Sequence, residues 1–233
     1  MSITALRIIT PPVEDPITVP DAKSHLRITY SAEDAYIQSL IKAATDWAQV
    51  FTRRVFLDTQ AVVRIDKFPE SGDGAELVGD PQGQWFYIRS GGHRKKEAPK
   101  RDKSILLPGG NVIAVNDIDY IDSNGAPQTL TGPTSAIVGT DYQEDLTDDE
   151  WSFIYPNSST GWPSVDSQSV NAVAIDYQVG WPDPLDIPES IKQAIRFKVG
   201  DLFNIRDTID AGSRSTLIDV AEKLLEPYVV PHC

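Results

Sequence analysis

Ser31-Ala32-Glu33-Asp34-Ala35-Tyr36-Ile37-Gln38-Ser39-Leu40-Ile41-Lys42-Ala43-Ala44-Thr45-Asp46-Trp47-Ala48-Gln49-Val50-Phe51 decides the fold class. Within it Ile37, Leu40, Ile41, Ala44, Ala48 and Phe51 recur at the spacing of one helical face, which predicts a helix of about five turns with a single apolar stripe. A stripe of that length has to be buried against something. Just upstream, Thr18-Val19-Pro20-Asp21 opens a shorter helix to about Leu26 or Ile28: a Thr N-cap, Pro in the first turn and an acid three residues on satisfy backbone N–H groups that have no helical partner.

The partners lie at the other end of the chain. Asp186-Ile187-Pro188-Glu189 repeats the start signal, and Ile191, Ala194, Ile195, Val199, Leu202 and Phe203 follow on one face, with Lys198 inside the stripe and obliged to snorkel or pair. A fourth helix is predicted from Thr216 to Glu226, with Leu217, Val220, Ala221, Leu224 and Leu225 together, before Pro227 and an apolar tail, Tyr228-Val229-Val230-Pro231.

Between the helical ends the period changes from 3.6 to two. Ala61 to Ile65, Trp85 to Arg89, Val112 to Ile121, Ala136 to Gln143, Trp151 to Tyr155 and Val170 to Val179 read as strands. Asn124-Gly125 predicts a two-residue type I′ hairpin turn, because both residues adopt positive φ cheaply. Loops rich in Gly, Pro and charge run from Pro69 to Gln84 and from Gly91 to Lys103. The expected fold class is therefore α+β: a helical core from the N- and C-terminal segments, with a β-rich antiparallel insertion between them. The expected division is an arm and helices over 1–57, the insertion over 58–182, completing helices over 183–226 and a tail over 227–233.

Composition bounds function. The chain has 233 residues, 40% hydrophobic and 24% charged, an ordinary globular mix that excludes a disulfide mini-protein or a disordered chain. With 34 acidic and 21 basic residues the net charge is −13, a field that repels nucleic acid and anionic membranes. There is no signal-peptide core and no apolar run of membrane-spanning length, and the single cysteine is Cys233, so a soluble protein of a reducing compartment without membrane contact is expected.

No constellation of catalytic residues emerges. His25, His93 and His232 lack metal-ligand spacing, a lone cysteine cannot build a thiolate zinc site, and no phosphate-binding glycine loop or nucleophile elbow occurs. No enzyme activity, cofactor or metal is expected. The acidic run Asp141, Glu144, Asp145, Asp148, Asp149 and Glu150 lacks the order and glycine of a calcium loop and reads as solvated; calcium or a carboxylate pair is its other reading. Its opposite is the one basic run, Arg94, Lys95, Lys96, Lys100, Arg101 and Lys103, which could touch DNA phosphate or an acidic neighbour, or be a solvated hairpin tip. Trp47, Trp85, Trp151, Trp162 and Trp181 read as core and interface anchors, a sugar platform being the alternative.

Taken together, the two helical ends resemble a known family. Ile17-Thr18-Val19-Pro20-Asp21-Ala22-Lys23-Ser24-His25-Leu26-Arg27-Ile28, then Glu33 to Ala44, then Phe51-Thr52-Arg53-Arg54 are similar to the N-terminal signature of tailed-bacteriophage head-tail connector proteins, also called adaptor or head-completion proteins. Val173 to Trp181, Ile187 to Ile195, Leu202 to Arg206 and Leu224 to Tyr228 resemble the same family's later strand, helix and closing tail. The loops Pro69 to Lys103 depart from the pattern. The resemblance implies a structural virion protein of the neck, assembled in the bacterial host cytoplasm. It implies self-association into a ring, typically of twelve subunits, under the portal protein, with a tail or stopper protein assembling below and double-stranded DNA passing through without being read. By position it makes Leu224, Leu225, Tyr228, Val229 and Val230 the portal-docking candidates. An acidic lumen would then let DNA slide. The competing readings are a virion carbohydrate- or receptor-binding β module using exposed Trp side chains, and a hydrolase using Asp148 or Asp149.

Overall fold

The structure, a computed structural model, describes residues 3–70, 103–133, 141–148, 150–204 and 215–230. Four α-helices and eight strands appear in it, all strand pairs antiparallel, with the helices in the N- and C-terminal regions and seven of the strands between them. The chain is α+β, as its patterning requires. It divides into two compact units: the residues described within Met1–Pro11, Thr59–Gly180 and Val230–Cys233 form a β unit, and those within Pro12–Asp58 and Trp181–Val229 form a helical unit.

The helical unit is built on α1 (Val19–Leu26), α2 (Asp34–Thr52), α3 (Glu189–Asn204) and α4 (Ser215–Leu225). Thr18 caps α1 as its sequence predicts: its hydroxyl accepts the Asp21 N–H, and the Asp21 carboxylate accepts the Thr18 N–H at 3.1 Å. Both helices end on an arginine in the left-handed region, Arg27 (φ 59°) after α1 and Arg53 (φ 57°) after α2, where the chain reverses. The stripe of α2 is inside as expected, Ile37, Ile41, Ala44 and Ala48 having no exposed surface, and it shares one apolar cluster with Ile191, Ala194, Ile195 and Val199 of α3. Lys198 resolves its conflict by laying its ammonium 4.7 Å from the centre of the Trp47 ring. Glu189, read as half of a capping box, turns its carboxylate to Arg196 instead. Near the middle of the stripe the Thr45 hydroxyl is buried without a hydrogen-bond partner.

The β unit holds a five-stranded sheet and a three-stranded sheet. The first runs β1 (Ile3–Thr10), β2 (Thr59–Ile65), β8 (Val173–Val179), β4 (Val112–Ile121), β5 (Pro127–Leu130); the second runs β3 (Ile105–Leu107), β7 (Ser152–Pro156), β6 (Tyr142–Asp145). Strands β2 and β8 pair without a slip from Thr59↔Val179 to Ile65↔Val173. Ala61, Val63 and Ile65 therefore share a buried face with Ile175, Tyr177 and Val179, and the Tyr177 hydroxyl donates to the Pro108 carbonyl at 2.8 Å. On the opposite face the Asp176 carboxylate accepts from Gln60 and Asn116.

Three local expectations change. Ile3–Thr10, taken as part of an N-terminal arm, is an edge strand; its alternation is weak because Ile8 and Ile9 are both about half exposed. β3 and β5, of three and four residues, are too short to show a period. The Asn124-Gly125 hairpin exists, but its turn is not type I′. Among the two, Gly125 alone has positive φ (80°); the Asp122 N–H donates to the Ala126 carbonyl and the Gly125 N–H to the Asp122 carbonyl, the bonding of a three-residue loop. Asp122 decides this, since its carboxylate accepts the N–H groups of Asn124 and Ala126 and rewards the longer loop. The predicted strand Trp85 to Arg89 lies outside the described residues.

Candidate functional site

The end of α4 and the residues just after it are the site that sequence singles out, and Arg54 from the N-terminal part of the chain packs against it. Helix α4 tightens after Leu225 into a 3₁₀ turn, Glu226–Tyr228, because Pro227 cannot donate the N–H an α-helix would need there. The Val229 N–H closes that turn on the Glu226 carbonyl at 3.3 Å, and Val229 itself is extended (φ −67°, ψ 120°). Against this turn lies Arg54, only 3% exposed, whose Nε donates to the Tyr228 carbonyl at 2.6 Å.

The five docking candidates separate by burial. Leu225 has no exposed surface and belongs to the helical core with Ala221, so it is not free to dock; with 3.6 residues per turn, only one side of the Leu224-Leu225 pair can face outward. Leu224 and Tyr228 are half-buried, packed on the edge of that core with part of each side chain open. Val229 and Val230 are half-buried as well, and Val220, one turn before Leu224, is 43% exposed. Val220, Leu224 and Tyr228 thus follow one another at four-residue steps as a partly open apolar ridge leading into the tail.

The other candidates are placed as follows. Arg94, Lys95, Lys96, Lys100 and Arg101 lie outside the described residues; Lys103 is half-buried, and its carbonyl accepts from the Trp162 indole at 2.7 Å. The acidic run is spent on local turns: Asp141 accepts the Thr131 N–H, Asp145 the Thr147 hydroxyl and Asp148 the Glu150 N–H, while Asp149 is outside the described residues. Glu144 is half-buried, and desolvation raises its pKa. His25 on α1 meets the edge of Phe197 at 5.7 Å, and burial, aided by Arg196, lowers its pKa. His93 and His232 are outside the described residues. Among the described residues no three His, Cys, Asp or Glu side chains converge as a metal would require.

The described tryptophans are committed to packing rather than held open as a sugar platform. Trp162 stacks on Phe68 at 4.7 Å, Trp47 on Phe51 and Trp181 against Phe56, while Trp151 is buried. An open groove of about 620 Å³ between α1 and α2, lined by Val19, Ile28, Ala35 and Gln38, is crossed by the Lys23–Asp34 ion pair at 2.7 Å. No described helix is long and apolar enough to cross a membrane.

Arg54 is the residue of this site that patterning missed. An arginine just after a helix carries no periodic signal, and a carbonyl it bonds lies 174 residues away.

The site is a partly open apolar ridge from Val220 through Leu224 to Tyr228, with Arg54 hydrogen-bonded to the carbonyl at its end. In a comparison with known families, residues 16–78 match the model described as Phage gp6-like head-tail connector protein, which bears out the resemblance read from Ile17 to Arg54. The fold is similar over its length to solved neck structures of gene transfer agents (GTA). A chain of "Neck of empty GTA particle computed with C6 symmetry" matches with a TM-score of 0.63 at 16% identity, covering 95% of each chain. A chain of "Virion of native gene transfer agent (GTA) particle" matches with a TM-score of 0.63 at 15% identity over 95% of each chain. A third, from "Neck of native GTA particle computed with C12 symmetry", gives a TM-score of 0.60 at 14% identity and covers 95% of this chain and 94% of that one. No curated protein matches this chain.

Proposed function

We propose that this chain is a structural protein of a virion neck, a head-tail connector that forms a ring under the portal protein. The observation that carries the reading is the coincidence of two independent likenesses. The connector-family match rests on residues 16–78, which include α1, α2 and the whole of β2, and the fold of the whole chain follows neck subunits of phage-like particles, one of them computed with twelvefold symmetry.

In this reading the helical unit supplies the ring body, and a tail or stopper protein assembles on the face away from the portal. Leu224, Tyr228, Val229 and Val230 dock on the portal, without Leu225. An apolar ridge that continues into an extended Val229 suits a groove on a larger partner, since burial of such side chains is favourable at roughly 25 cal/mol per Å² of apolar surface. The net charge of −13 suits a lumen through which double-stranded DNA slides, because a basic wall would hold phosphate instead. The basic run from Arg94 to Lys103 is then a contact to DNA or to an acidic neighbouring surface. No reaction and no cofactor enter this role.

The test is to mix the chain with the portal protein of the same genome and image the product by electron microscopy. A ring added beneath the portal is the expected result. A bare portal at about micromolar concentrations of both, repeated with DNA-filled heads, overturns the proposal, and glycan binding would then be measured.

A further inference from the structure

We infer that Arg54 is a positioning residue for docking: its buried guanidinium holds the carbonyl of Tyr228 and thereby fixes the main chain where Val229 becomes extended. This rests on the docking role proposed above and adds to it the device that fixes the main chain there.

The argument starts from cost. An arginine stays charged at any physiological pH, and a guanidinium taken out of water is costly unless its N–H groups find acceptors. Arg54 is buried, and among the described residues it is the one Lys, Arg, Asp or Glu in the buried class. Its placement is engineered from two sides. On its own side, Arg53 takes the left-handed conformation (φ 57°) that stops α2 and turns the next residue back, while the Gln49 side chain accepts the Phe56 N–H at 3.0 Å and holds the segment after it. On the partner's side, Tyr228 is the last residue of the 3₁₀ turn, so its carbonyl is one of the terminal acceptors that no helical N–H reaches. Terminal carbonyls also carry the negative end of the helix dipole, which favours a cation.

The hydrogen bond, at 2.6 Å, therefore does two things at once. It gives a buried charge one of its acceptors, and it pins the main chain at the residue before Val229 becomes extended. A contact to the main chain is indifferent to which side chain position 228 carries, so its effect is on main-chain position rather than on the chemistry of docking.

The test uses the full chain with Arg54→Met, which keeps length and removes charge, and Arg54→Lys, which keeps charge but lacks the Nε donor. Two quantities are read: amide hydrogen exchange at Val229, and attachment to the portal protein. Losing a hydrogen bond to a charged group predicts exchange about tenfold or more faster and attachment weaker by about tenfold in Arg54→Met, with Arg54→Lys between it and the unaltered chain. A chain ending at Tyr228 turns the acceptor into a terminal carboxylate that Arg54 can still hold and lacks the residues after it, and there Arg54→Met should leave residual attachment unchanged. Should Arg54→Met fail to fold, Arg54→Lys carries both comparisons. Unchanged exchange at Val229, unchanged attachment of the full chain, or an equal loss of attachment in the chain ending at Tyr228 each overturn the inference. If the unaltered chain never joins the portal, the docking role falls on that result alone, and exchange at Val229 still decides whether Arg54 holds the tail.

Discussion

Replacing Leu225 by alanine removes a side chain with no exposed surface from the helical core, at the point where α4 meets Ala221 and the stripes of α2 and α3. Full burial of a leucine is worth about 1.5–3 kcal/mol, and Leu→Ala truncations in cores cost about 2–5 kcal/mol once the cavity is included. Leu225 is the last α-helical residue before the 3₁₀ turn, so the site can partly collapse, and a cost of about 2–3 kcal/mol is expected. For a chain of this size each kcal/mol lowers the melting temperature by about 2–4 °C, which puts the expected drop at about 4–12 °C. Val229→Ala, at a half-buried position beyond the helix, should stay within about 0.5 kcal/mol of the unaltered chain. Thermal unfolding followed by circular dichroism, paired with portal attachment measured well below both midpoints, separates the two roles. Leu225→Ala should melt early and still attach when folded; Val229→Ala should melt normally and attach weakly. The reverse pattern, a normal melt and lost attachment for Leu225→Ala, would refute the assignment of Leu225 to the core.

Other consequences follow from single contacts. Thr18→Ala removes the hydroxyl that accepts the Asp21 N–H and should cost about 1 kcal/mol in a denaturant titration, while Thr18→Ser should cost little. Thr45→Val removes a buried hydroxyl that has no partner and should stabilise the chain by about 0.5–2 kcal/mol, whereas Thr52→Val, which breaks a 2.8 Å bond to the Ala48 carbonyl, should not. His25 has its pKa lowered in the folded chain, first by burial and then by Arg196, so the unfolded chain binds its proton more readily. Its contribution to stability is full above the unfolded value of about 6.5 and is lost as pH falls through that value toward the folded one. Unfolding titrations between about pH 7.5 and 5 should show this slope diminished in His25→Gln, and an unchanged slope would count against it.

The helical unit was legible because its information is local and repeated. The stripe from Ile37 to Ala48 and the stripe from Ile191 to Val199 each show their buried face through a 3.6-residue period, and Thr18 with Asp21 marks a helix start that the structure reproduces bond for bond. Strands β2 and β8 were legible for the same reason at period two, and β4, whose ladder to β8 shifts register twice, was legible by its content of Val and Ile. Strands β1, β3 and β5 were not: two are too short for a period, and β1, at a sheet edge, exposes consecutive isoleucines. The docking candidates were legible only as an apolar tail after a proline. Which of them are open depends on rotation about the α4 axis, which puts Leu225 inside and leaves Leu224 half outside.

What the amino-acid sequence determined by itself, then, was the set of amphipathic elements, the order helix, strand, helix along the chain, and the family resemblance that rests on Ile17 to Arg54. These are properties of spacing, and burying one face of an element is demanded wherever its partner comes from. Only the tertiary structure decided that Ile3–Thr10 joins the sheet beside β2, that Leu225 is core, and that Arg54 meets Tyr228. Each of these is a meeting of residues far apart in the chain, set by which surfaces pack and which hydrogen-bonding groups would otherwise be buried unpaired, and no local pattern encodes it.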